Sequence, residues 1–116
     1  MSNTDSLIGK RVAIRANDFL DVASHGRIQL VEPQSNSLLI GLDTPVNEDG
    51  LRYTRVVASP RLERDSVGAL QLTGKLGCGI TWIPETRFSE SAPFDLSWWR
   101  GGAAAVADVV LERQGK

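Results

Sequence analysis

What most limits the folds open to this chain is that its apolar residues recur at every second position, in short runs separated by turn-forming residues. In residues 10–16, Val12, Ile14 and Ala16 alternate with Arg11, Ala13 and Arg15, the period of a strand that buries one face and wets the other. Residues 27–32 place Ile28 and Leu30 inward, and residues 38–43 do the same with Leu38, Ile40 and Leu42. Between these two runs, Pro33-Gln-Ser-Asn-Ser37 is turn chemistry: proline presets φ, and Asn and Ser side chains bond nearby backbone. A hairpin is the consequence. Gly41 interrupts the outer face of the third run, where a bulge or a neighbouring chain comes close.

Residues 51–58 continue the pattern, with Leu51, Tyr53 and Val57 on one face and Arg52, Thr54 and Val56 on the other; Arg55 shares the Tyr53 face. Residues 78–83 alternate Cys78, Ile80 and Trp82 against Gly79, Thr81 and Ile83, and stop at Pro84. In residues 103–113, Ala105, Ala107, Val109 and Leu111 oppose Val106, Asp108, Val110 and Glu112. That run is alanine-rich, so strand and helix both stay open for it.

Connections fill the gaps. Residues 17–25 have no period and read as a loop, and residues 44–50 read as a polar connection. Ser59 and Pro60 form an N-cap and first-turn pair for a short helix within residues 62–72, ending at Gly74. Residues 85–96, with Phe88 and Phe94 as anchors, read as a long packed loop. Five or six short strands and at most one short helix predict an all-β fold, a small barrel or half-barrel, because closure removes exposed strand edges. One domain over residues 1–116, with residues 1–8 as a flexible lead-in, fits a chain of this length, 41% hydrophobic and 23% charged.

Residues 9–43 resemble the start of a small barrel of the Src-homology-3 type and, more loosely, the KOW motif of ribosomal and transcription-elongation proteins. The resemblance rests on Gly9-Lys-Arg-Val-Ala-Ile14, Gly26-Arg-Ile28 and the hairpin from Leu30 to Ile40. It implies a five- or six-stranded SH3-like barrel, and through the KOW pattern a nucleic-acid- or ribosome-associated role. Asn17-Asp-Phe-Leu-Asp21 stands where that pattern has a basic, glycine-rich loop.

Charge weighs against a dedicated nucleic-acid binder. The net charge is −1, whereas phosphate neutralisation by Lys and Arg supplies most non-specific affinity. Modest patches alternate along the chain, and Arg11, Arg15, Arg27 and the stretch from Arg52 to Arg64 are the basic residues such a role would use. A single cysteine excludes an internal disulfide and fits a reducing compartment. With neither a signal-like N-terminus nor a membrane-length apolar run, a cytoplasmic protein is expected. Arginine outnumbers lysine ten to three, a composition suggestive of a GC-rich bacterial source.

Catalytic chemistry finds few residues to work with. Cys78 shares the face of Ile80 and Trp82 and reads as a buried small hydrophobe, and His25 is the only imidazole. One His and one Cys do not assemble a zinc set, and Asn47-Glu-Asp-Gly50 lacks the carboxylate spacing of a calcium loop. No catalytic residue, metal or cofactor is predicted. The recognition candidates are Trp99 and Arg100, joined by Arg52 and Arg55. Phe94, Leu96 and Trp98 alternate, which sends Trp98 inward and Trp99 outward, and Trp and Arg are the types most enriched in interface hot spots. These features predict a non-catalytic protein-interaction module of a bacterial cytoplasm, of an adaptor or toxin-neutralising type. Its partner is another protein, with nucleic acid as the alternative and no membrane.

Overall fold

Strands with one apolar face leave two costly edges unless the sheet closes, and here it closes. In a computed structural model, residues 4–16, 24–32, 34, 36–48, 50–62, 65–87 and 103–112 are described. The strands are β1 (Arg11–Ala16), β2 (Ser24–Glu32), β3 (Ser37–Glu48), β4 (Leu51–Pro60), β5 (Lys75–Pro84) and β6 (Ala103–Leu111). Each pairs antiparallel with the next, and β6 returns to pair with β1, forming a closed six-stranded barrel. The all-β fold read from the alternating runs is the observed one, and residues 103–111, open between strand and helix, are the strand that completes the closure.

The interior is filled by side chains from every strand. Val12, Ile14, Ile28, Leu38, Ile40, Val56, Ala58, Leu76, Cys78, Ile80, Trp82 and Val109 are buried in one cluster. A single 3-10 turn, Thr4–Leu7, precedes β1 and places Leu7 in that core. The short helix α1 (Ala69–Thr73) packs against β5 and β6 and contributes Leu70, with Val67 just ahead of it. It stops at Gly74, whose φ of 78° is the left-handed conformation that ends helices without a Cβ penalty. Asn36 ties this segment to the β2–β3 turn, donating through Nδ2 to the Asp65 carbonyl and accepting from the Val67 amide, each at 2.9 Å.

Several local expectations are overturned, each for a backbone reason. Ser59 and Pro60 do not start a helix: they extend β4, opposite Gly79 and Cys78. The Ser59 hydroxyl meets that of Ser37 at 2.7 Å, and Pro60 occupies the strand's final position. Residues 44–48, expected as a loop, belong to β3. Leu30 does not point inward, because the β2–β3 register shifts between Ile28 and Leu30. Gln29 is the extra residue, so Leu30 turns outward and Val31 packs on the core instead.

The same physics corrects β4. Its register shifts between Tyr53 and Arg55, which puts Tyr53, Val56 and Ala58 in the core and sends Val57 to the opposite face. Leu39, Val57 and Ile83 therefore face away from the barrel interior, yet each is at most 2% exposed.

Candidate binding surface

Register places three arginines side by side on the outer wall. Arg11 stands opposite Arg27, Arg27 opposite Gly41, and Gly41 opposite Arg55. Their inward neighbours Val12, Ile28, Ile40 and Val56 are core residues, so all four positions of this row face outward. Gly41 leaves space in the row that Gln29 fills: a Cβ there would run into the Gln29 amide. The Arg55 Nε donates to Gln29 Oε1 at 3.3 Å. A bulge and a glycine thus seat a neutral side chain between two of the guanidinium groups.

Beside the row, β3 departs from β4. Leu42, Asp43, Thr44 and Pro45 lie between the paired residues Gly41 and Val46, whereas Thr54 alone lies between their partners Arg55 and Tyr53. Pro45 has no amide hydrogen to offer a ladder, which makes this the stretch where pairing lapses. The slack opens a cavity of about 450 Å³ with Arg11, His25 and Asp43 on its polar side and Pro45 and Val46 on its apolar side.

Barrel closure gathers the charges around it. Arg11 forms a two-pronged ion pair with Asp43, its Nη1 donating to Oδ1 at 3.3 Å and its Nη2 to Oδ2. Its Nε also donates to Glu112 Oε1 at 3.3 Å, and the other Glu112 oxygen meets His25 Nδ1. The Arg11 guanidinium holds the Asp43 carboxyl below its ordinary value, and Asp43 in turn raises the Arg11 guanidinium. Arg11 and Asp43 are 35% and 40% exposed, so this pair is wet.

Of the residues expected to bind, Arg55 lies in the row. Arg52 is paired elsewhere, its Nε 3.5 Å from Glu85 Oε1. Trp98, Trp99 and Arg100 lie outside the described residues, as do Glu63 and Arg64. Cys78 is fully buried, and burial, reinforced by the charge of Asp108, pushes its thiol up to about 12. Among the described residues, no cluster of three or more His, Cys, Asp or Glu is placed to hold a metal ion. No helix in that set is long and apolar enough to cross a membrane.

Sequence reasoning named Arg11 and His25 singly but did not join them with Asp43 and Glu112. The four are scattered from β1 to the residue after β6, and no local pattern joins them. Pro45 inside a polar run was the one available signal, marking a place where a strand would lose its pairing. No protein-family model, curated protein or solved structure matches this chain.

Proposed function

We propose that the chain is a non-catalytic interaction module that binds another protein through the outer wall of β1 to β4, in the manner of an adaptor or a toxin-neutralising protein. The observation that carries this reading is the arginine row beside an open cavity, on a barrel whose inside is packed with side chains. Arginine is over-represented in interface hot spots because its planar fork gives directional donors over a large contact area. Cavity and row are contiguous through Arg11, so polar and apolar contacts are available on one face. Burial removes Cys78 from nucleophilic chemistry, and a lone cysteine suits a reducing cytoplasm. In the same proposal the barrel is of the SH3-like kind; β1, β2 and the start of β3 fall in the segments that carry that resemblance.

Trp99, Arg100 and Arg52 remain recognition candidates in the same proposal. The nucleic-acid alternative draws support from the same arginines, and the experiment separates the two. Wild-type protein and the double variant Arg27→Glu with Arg55→Glu are used as bait in host extract, with and without nuclease. A protein held by the wild type, lost by the variant and indifferent to nuclease supports the reading. Identical capture by both baits overturns it, and capture that disappears with nuclease favours nucleic acid.

A further inference from the structure

We propose that the arginine row receives an acidic polypeptide segment, and that Asp43 occupies Arg11 in the free protein as an internal stand-in for one of that segment's carboxylates. This rests on the reading of the wall as a binding surface and adds the partner's chemistry and a built-in competitor.

The Arg11–Asp43 pair already has the geometry in which a carboxylate meets a guanidinium fork, two parallel donors to two oxygens. Asp43 is carried on the stretch of β3 that has no partner on β4, and its backbone is free of that ladder. Both ions are wet, and exchange of one carboxylate for another therefore costs little desolvation. Arg27 stands directly opposite Arg11, an unfavourable juxtaposition of like charges unless anions lie between them. Asp43 supplies one such anion, and Arg27 has no carboxylate within ion-pair distance among the described residues. A second acidic group is therefore accommodated next to the first.

The row has the dimensions of a short peptide. Neighbouring strands lie about 4.8 Å apart, which puts the Arg11 and Arg55 backbones roughly 14 Å apart across three strand spacings. Four or five residues of extended chain cover that distance, at about 3.3 Å each. A phosphate polymer fits less well. The described aromatic residues Tyr53 and Trp82 are buried, so neither offers a base a stacking surface.

The test is a titration of the full-length, isotope-labelled protein, followed by amide and arginine side-chain resonances, with three probes: a capped hexaglutamate, a capped hexalysine and a twelve-nucleotide oligothymidine. The expected result is that hexaglutamate shifts the Arg11, Arg27 and Arg55 signals and that Asp43→Ala tightens its binding roughly threefold or more, the scale of one exposed ion pair. Asp43→Asn is measured in parallel, so a folding defect in one variant leaves the comparison intact. Unchanged or weaker hexaglutamate binding in the folded Asp43 variants overturns the stand-in role. Tighter binding of hexalysine or of the oligonucleotide on the same residues overturns the acidic-peptide assignment while the wall stands as a binding surface. If no probe moves these signals, the acidic-peptide assignment and the reading of the wall both fail.

Discussion

The β5–β6 ladder and the β3–β4 ladder are built from similar raw material and end up with opposite properties. From Lys75 opposite Val110 to Trp82 opposite Ala103, β5 and β6 pair without a single shift in register. The inward residues Leu76, Cys78, Ile80, Trp82, Ala107 and Val109 are apolar and buried, and Gly77 and Gly79 on the outer face have open space or only a distant contact above them. Between β3 and β4 the pairing breaks at Pro45, four residues face one, and the charged cavity appears there. An unbroken ladder consolidates the core. A broken one frees polar backbone and side chains for recognition, which is why bulges recur beside functional sites.

The hardest test of this contrast is Trp82→Ala. Trp82 is fully buried on the unbroken ladder, and its truncation is expected to cost about 3–5 kcal/mol by denaturant titration, as core aromatic deletions do. A loss below about 1 kcal/mol would show that the ladder does not organise the core.

Cys78 probes the same ladder through pH. Its thiol has an ordinary value of 9.0 and is pushed up to about 12, chiefly by burial. The folded state thus favours the protonated thiol, and the sign follows: the stabilisation is fully present below pH 9 and is lost as pH rises from there toward 12. Cys78→Ala should flatten that alkaline loss, and native wild-type protein should react slowly with a thiol reagent at pH 8. Rapid labelling of the folded protein would contradict the burial.

Two glycines sharpen the comparison at smaller cost. Gly26 faces the core on β2, and a Cβ there would run into the Gly41 carbonyl oxygen, so Gly26→Ala should destabilise by roughly 1–3 kcal/mol through forced backbone movement. Gly79, on the unbroken ladder, has nothing within 4 Å of an added Cβ and does not have a positive φ. Gly79→Ala is therefore expected to be neutral or to gain about 0.4–1 kcal/mol through a less free unfolded chain. Equal effects at the two sites would show that the room beside each glycine does not decide its tolerance.

The smallest effect belongs to the exposed pair. Asp43→Asn should leave the melting temperature near neutral pH almost unchanged, as wet ion pairs contribute little. Because the Asp43 carboxyl is held below its ordinary value of 3.8, any difference from wild type is present above that pH and closes as pH falls below it. A difference that instead grew on acidification would mean that Arg11 is not what lowers the Asp43 carboxyl.

The alternation of Val12 and Ile14, of Leu38 and Ile40, and of Cys78, Ile80 and Trp82 was enough, read from the chain alone, to specify strands, their buried faces and an all-β barrel. Period 2 is a local property, and each of these runs keeps it without interruption. Gly74 as the end of a short helix was legible for the same reason, since a left-handed terminus depends on one residue's own φ. Leu30, Val57 and residues 44–48 were not legible, because their facing depends on bulges at Gln29, Thr54 and Pro45, and a bulge is a relation between two strands. The arginine row and its ion pairs lie furthest from the sequence. Arg11 meets Asp43 and Glu112 across 32 and 101 positions of chain, and no local preference encodes contacts that exist only once β3 has folded beside β2 and β6 has closed on β1.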